Sequence, residues 1–220
     1  LYLSIARPDS LFITDLQEKF QTAGIEVKNS NLGQLPETTW FHYPSDYLGD
    51  IVHSLNVRSD NLYAESVLRL LSLSDHEKGS AEKGIDIIRK YWQNYEADSL
   101  ELFMYDGSGL ARNNKVSAKY LNCVLKETAR DSLIGEYFVQ TLPLAGKEGS
   151  VATFMKHGEL PGELRLKSGS MSDVHAYAGY YTTPQNRYAI VVMINNYTCT
   201  RAQLKQKIST LLTQVLSKKE

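Results

Sequence analysis

The sequence predicts an α+β fold, in which a central run of helices is followed by an antiparallel sheet backed by a terminal helix. Two observations carry this. Apolar residues recur at helical spacing in mid-chain, as in Ala81, Ile85, Ile88 and Trp92, separated by four, three and four positions. From residue 163 onward three strand-like runs appear, closed by Leu204, Ile208, Leu211 and Val215, once more at helical spacing.

Composition bounds what such a chain can be. Its 220 residues are 42% apolar and 22% charged, which excludes disorder and suffices for a single domain over residues 1–220. Lys plus Arg number 24 against 25 Asp plus Glu, a net charge of −1 without any dense basic block, so nucleic acid is not an expected partner. Cys123 and Cys199 are too few for a disulfide framework and have no ligand neighbours at metal spacing, so no metal and no cofactor is expected. The strongest apolar run, residues 188–194, is far short of the ~18–20 residues of a bilayer-crossing helix; no transmembrane segment is expected. The chain opens on Leu1 without a signal segment and reads as a piece of a longer protein.

Element by element, a strand is expected over residues 2–6. A helix follows over 8–23, with Leu11, Phe12, Leu16 and Phe20 on one face and Gly24 closing it. Pro36 and Pro44 interrupt a polar connection with a short extended piece at 40–43. Helices are expected over 47–55, from the Ser59-Asp60-Asn61 cap to about residue 72, and over 80–95. Leu100, Leu102 and Met104 alternate as a strand that Asp106-Gly107-Ser108-Gly109 breaks into a loop. Ser117 caps the next helix, Asp131 another through residue 138, and a short helix is expected at 151–156 within a loop-rich stretch. Strands are placed at 163–168, 176–183 and 187–195, the last two joined through Pro184-Gln185-Asn186, and Thr200 caps the terminal helix.

Three stretches carry chemical interest: Ser59-Asp60-Asn61, Asp106-Gly107-Ser108-Gly109-Leu110, and Lys167-Ser168-Gly169-Ser170. Singly, each has an ordinary structural reading as a helix cap, a turn and a solvated strand end. Their order is more telling, because Ser-Asp-Asn followed by Lys-Thr-Gly belongs to the signature of β-lactamases and penicillin-binding proteins, and Ser for Thr keeps the hydroxyl. With Leu62-Tyr63-Ala64-Glu65, Ala111-Arg112-Asn113-Asn114, Leu142-Pro143-Leu144-Ala145-Gly146 and Ala178-Gly179-Tyr180, the chain resembles the low-molecular-mass penicillin-binding proteins that act as D-alanyl-D-alanine carboxypeptidase/endopeptidases, the S13 serine peptidase family. The resemblance runs from about residue 50 to the C-terminus and more loosely back to residue 1.

That resemblance implies a β-lactamase/penicillin-binding, transpeptidase-like fold, peptidoglycan stem peptides and β-lactams as ligands, and a periplasmic or other extracytoplasmic location. It also implies roles for individual residues. Ser59 belongs in the proton relay to the leaving amine, and the Asn61 amide orients substrate, as a group that donates and accepts. Lys167 and Ser168 hold the terminal carboxylate, Gly169 permits close approach, and the Ser170 N–H supplies an oxyanion donor. The family's Ser-x-x-Lys nucleophile has no counterpart before Ser59. The literal match Ser80-Ala81-Glu82-Lys83 follows Ser-x-Asn and opens an amphipathic helix, so it is read as structural. This chain is therefore expected to be the C-terminal portion of a penicillin-binding domain whose partner is the missing N-terminal segment of the same protein. On its own it should be inactive, and loss of the nucleophile-bearing helix should expose an apolar groove.

The alternative is a non-catalytic peptidoglycan-binding module of the same fold that lost its nucleophile by evolution. A β-lactamase would need a deacylating base, and no Gly-x-Ser-x-Gly elbow supports an α/β-hydrolase. The Asp106 loop is read as structural or groove-lining, His175 as packing, and the 14 tyrosines as sheet and core residues.

Overall fold

A computed structural model describes residues 8–27, 44–74, 78–95, 101–155 and 160–218. The strand expected at 2–6, the extended piece at 40–43, Leu100 and Lys156 lie outside the described residues. The chain forms two compact units, Leu1–Pro44 and Ser45–Glu220. In the first, helix α1 (Pro8–Thr22) is closed by Gly24 at φ 72, with Ile25 N–H returning to the Phe20 carbonyl; glycine takes this left-handed turn without a Cβ clash. Leu11, Phe12, Leu16 and Phe20 are all exposed.

In the second unit, helices α2 (Leu48–Arg58), α3 (Asn61–Leu70) and α4 (Ala81–Trp92) follow in order. Side chains cap α3 and α4: the Asp60 carboxylate accepts from Tyr63 N–H and the Ser80 hydroxyl from Lys83 N–H, each satisfying a backbone donor that the helix start leaves orphaned. The expected apolar face of α4 packs through buried Ile85, beside Leu68 of α3. Gly84 lets the two helices close up, since a Cβ there would lie 2.2 Å from the Leu68 carbonyl oxygen.

A two-stranded ribbon, β1 (Leu102–Phe103) with β2 (Lys115–Val116), closes the 106–114 loop; β2 carries no sequence signal of its own and is held by its partner. Helix α5 (Ala118–Arg130) starts at the Ser117 cap as expected. Asp131 holds a turn rather than a helix start, accepting from Leu133 and Ile134 N–H, and α6 spans Gly135–Thr141. Where a helix was expected at 151–156, only a 3-10 turn at Gly149–Val151 forms.

The main sheet runs β3 (Glu163–Met171), β4 (Val174–Thr182), β5 (Arg187–Asn195) in that spatial order, antiparallel throughout. Its two faces are covered differently. On one, Leu164, Leu166, Tyr177 and Tyr181 meet Phe154, Val151 and helix α7 (Arg201–Leu216). On the other, Tyr180 packs with Leu125, Val139 and Leu142 of the α5–α6 region and gives its hydroxyl proton to the Leu125 carbonyl at 2.7 Å. α7 begins with a full capping box between Thr200 and Gln203. Its buried stripe is Leu204, Ile208, Leu212 and Leu216; Leu211 and Val215, expected in the core, are about half exposed.

Close strand packing fixes β4 against β3. A Cβ on Gly179 would lie 2.0 Å from the Arg165 carbonyl oxygen and 3.0 Å from Leu166 Cα, backbone atoms that cannot swing aside. Gly179→Ala is expected to lower the stability of the intact protein by about 1–3 kcal/mol, measured by denaturant unfolding; an unchanged midpoint would show that the strands can separate without loss.

Candidate active site

Two of the three stretches singled out by sequence meet in space. The Lys167 ammonium donates to the Ser59 hydroxyl oxygen at 2.8 Å, across 108 residues of chain, and to the Ser168 carbonyl at 2.8 Å. Among the described residues no carboxylate pairs with it. Desolvation accordingly pushes its pKa down, because burial disfavours the charged form.

Ser59 is held by the fold around it. It caps α2 in the left-handed conformation, φ 55 and ψ 49, with its N–H on the Leu55 carbonyl, a conformation that costs a residue with a Cβ roughly 1–2 kcal/mol. One turn earlier, buried Asn56 donates its amide to Thr141 Oγ1 at 3.0 Å, pinning α2 to α6. On another side Gly149 comes so close that its Cβ would meet the Val57 carbonyl oxygen at 2.2 Å. The serine thus sits at the end of a helix fixed on two sides.

Lys167, Ser168, Gly169 and Ser170 lie in β3, which runs on to Met171 rather than ending at Ser168. Along the outer edge of β3, Leu166 N–H bonds to the Pro143 carbonyl and the Leu164 carbonyl to Ala145 N–H. Pairing alternates along an antiparallel strand, so the backbone groups of Ser168 and Ser170 point to this same outer side, beyond the point where the 143–145 segment covers it. Ser168 there is half-buried with its carbonyl on Lys167, whereas Gly169 and Ser170 are exposed. A Cβ on Gly169 would meet only Ala176 Cβ, at 4.0 Å, so the fold itself does not require glycine there.

Asn61 is the first residue of α3, exposed, two positions after Ser59. The Asp106 loop is held together by side-chain carboxylates. Asp106 accepts from Gly109 N–H, Ala111 N–H and the Asn114 amide at 2.9, 2.6 and 2.6 Å. Burial opposes its ionisation, yet these bonds hold the carboxyl below its usual range. Glu65 of α3 accepts from Gly107 and Ser108 N–H, both at 3.0 Å, locking the loop onto the helix that Asp60 caps. Ser80 serves as the cap of α4.

His175 is a buried residue of β4, directly across the ladder from Ser170 and edge-on to Tyr177 with ring centroids 4.9 Å apart. Burial and the charges of Lys205 and Arg201 lower its pKa; burial pushes the Tyr177 phenol up to about 12. One residue escaped sequence reasoning. Ser150, on the 3-10 turn, lies with its hydroxyl 2.7 Å from that of Ser168; nothing in a loop-rich stretch without periodicity marks it. Among the described residues no group of three His, Cys, Asp or Glu is placed to hold a metal ion, and no helix is long and apolar enough to cross a membrane.

Comparison with known proteins bears on this site. Residues 1–218 match the D-Ala-D-Ala carboxypeptidase 3 (S13) family. The chain is 25% identical over 221 residues to a D-alanyl-D-alanine carboxypeptidase DacB of Haemophilus influenzae, covering 96% of this chain and 46% of that protein. It is 25% identical over 193 residues to a D-alanyl-D-alanine carboxypeptidase of an Actinomadura species, covering 82% and 36%. It thus spans less than half the length of these curated relatives. Penicillin binding protein 4 of Haemophilus influenzae, whose crystal structure is known, has a TM-score of 0.75 at 24% identity over 97% of this chain and 50% of that one. A predatory endopeptidase of Bdellovibrio bacteriovorus reaches 0.64 at 16%, covering 98% and 57%. The fold is the penicillin-binding one, as the motifs implied.

Desolvated Lys167 makes stability depend on pH. Between its depressed folded value and the ordinary lysine value of about 10.4, the unfolded chain keeps a proton that the folded chain has released, so stability rises with pH across that window. Below the window the folded chain carries the full cost of burying the cation. Lys167→Met is expected to raise the thermal midpoint of the intact protein at neutral pH by about 2–4 °C, equivalent to about 1 kcal/mol, and to flatten the alkaline rise. Scanning calorimetry reads both; a lower midpoint would mean that the bonds to Ser59 and Ser168 outweigh desolvation.

Proposed function

The chain belongs to the D-Ala-D-Ala carboxypeptidase (S13) peptidase family, and on that premise we propose that it is the C-terminal part of an enzyme that cleaves peptidoglycan stem peptides by serine acyl transfer. The observation that carries this reading is the 2.8 Å bond between Lys167 and Ser59. It unites a cation, a relay hydroxyl and an open strand edge, whereas a helix cap and a strand end have no structural need to meet.

The reaction follows from what these groups can do. A serine of the N-terminal segment attacks the carbonyl carbon of the penultimate D-alanine. The oxygen that becomes negative takes the Ser170 N–H at the open edge and the N–H of the attacking serine. As the C–N bond breaks, the proton given up by the attacking serine passes through the Ser59 hydroxyl, which Lys167 orients, to the departing amine of the terminal D-alanine. Lys167 and the Ser168 hydroxyl attract the terminal carboxylate, the Asn61 amide orients the peptide, and the bare Cα of Gly169 lets it lie close. Water then releases the acyl group. A β-lactam, which carries a carboxylate beside a strained amide, enters the same site and leaves a slowly hydrolysed acyl-enzyme.

The N-terminal segment of the longer protein supplies the nucleophile and completes the domain. Two features support this. β5 is apolar and half-buried along residues 188–194, with a pairing partner on one side only among the described residues. Leu62, Leu133 and Ile134 are more than half exposed. The compartment is extracytoplasmic, where peptidoglycan is.

In the full-length protein, Lys167→Ala is expected to lower D-alanine release by roughly 10²-fold or more; normal turnover by that variant sinks the assignment. Intact mass after incubation with a penicillin locates the nucleophile. The adduct is expected on a serine preceding residue 1 of this chain, and an adduct on Ser59, Ser80 or any other serine within the 220 residues overturns the reading.

A further inference from the structure

We propose that Ser150 is a positioning residue for the carboxylate of the substrate: its hydroxyl donates to Ser168 Oγ and so frees the Ser168 proton for the carboxylate. The inference rests on the reading of Lys167 and Ser168 given above. Three observations place Ser150 in that role. Its hydroxyl is 2.7 Å from the Ser168 hydroxyl, with either oxygen able to donate. It stands where the covered part of the β3 edge ends, since Gly146 N–H bonds to the Val151 carbonyl and turns the 143–145 segment away from the strand. Its 3-10 turn also abuts the α2 end that presents Ser59, through the Gly149–Val57 approach.

Proton direction follows from the inventory. A hydroxyl has one proton, and a carboxylate only accepts. With an anion at Ser168, the Ser168 O–H must point to it, which leaves Ser168 Oγ as acceptor and Ser150 as donor. The resulting run, Ser150 to Ser168 to carboxylate, is a chain of hydrogen bonds that polarise in one direction and strengthen each other. Without Ser150 the Ser168 hydroxyl keeps its chemistry but loses the neighbour that fixes its rotor. The effect belongs to substrate binding rather than to bond breaking, because neither serine touches the scissile bond.

The experiment uses the full-length protein and two acyl-D-Ala-D-Ala peptides, one with a free C-terminal carboxylate and one with a C-terminal amide. Ser150→Ala is expected to raise KM for the free acid roughly 3–10-fold, the range of one net hydrogen bond, and to slow acylation by benzylpenicillin by a similar factor. It should leave kcat within about twofold and KM for the amide unchanged, and Ser150→Thr should restore the free-acid KM. Should Ser150→Ala not fold, Ser150→Cys replaces it, since a thiol of similar size is a weak donor. An unchanged KM for the free acid overturns the proposal, as does an equal rise for acid and amide, which marks a structural role. A wild-type protein that neither releases D-alanine nor takes up penicillin sinks the underlying reading and this inference with it.

Discussion

A lysine ammonium, partly withdrawn from water and met, among the described residues, by a hydroxyl and a carbonyl, is the constraint around which the second unit is built. Desolvation of a cation is costly, and without a carboxylate beside it the Coulomb return that normally offsets burial is missing. The neighbours cannot move to relieve it. Ser59 is held by a helix anchored through Asn56 and Thr141 and pressed by Gly149, and it adopts a left-handed conformation that an L residue avoids. Strain and desolvation coincide at one contact, the pattern expected where a fold maintains a site at the expense of its own stability.

The second organising feature is an accounting of backbone hydrogen bonds along one strand. Buried main-chain donors and acceptors are nearly always paired, and β3 divides cleanly on this criterion. Up to Leu166 its outer edge is served by residues 143–145, and beyond that the edge opens at Gly169 and Ser170. Arg165 reinforces the covered half, donating to the Leu142 carbonyl at 3.0 Å. An exposed strand edge is a hazard unless it is short. Here the open portion falls in the polar Lys-Ser-Gly-Ser run, so the outward backbone groups of Ser170 face solvent where a peptide main chain could meet them.

Much of this was legible in the sequence because the signals were local. Capping residues Asp60, Ser80, Ser117 and Thr200 each stand where a helix begins, and β5 has the limits its apolar run implies. What was misplaced depended on partners far away in the chain. α7 carries two overlapping apolar stripes, and whether Leu211 and Val215 or Leu212 and Leu216 turn inward depends on where the sheet lies, which helical period alone cannot tell. The strand expected over 163–168 runs on to Met171. The ladder continues through Ser170↔His175 to Met171↔Val174, carried around a turn with Asp173 at φ 59. At the site, Ser59 and Lys167 were named from their motifs, but Ser150 was not, because its importance lies wholly in a contact across 18 residues of chain.

On the proposed reading, these features favour an acyl-transfer site over a peptidoglycan-binding scaffold of the same fold. A scaffold would be served as well by a glycine at 59, which would remove a serine in the left-handed conformation. It would have no use for a hydroxyl between strand and helix. The structure places a cation, a serine hydroxyl and the Ser150–Ser168 pair beside the open part of the strand edge. A proton to be moved and a carboxylate to be held account for all three. A binding groove would use the cation and the serine pair to hold a carboxylate but not the Ser59 hydroxyl that Lys167 meets, and that contact is what favours acyl transfer over binding alone.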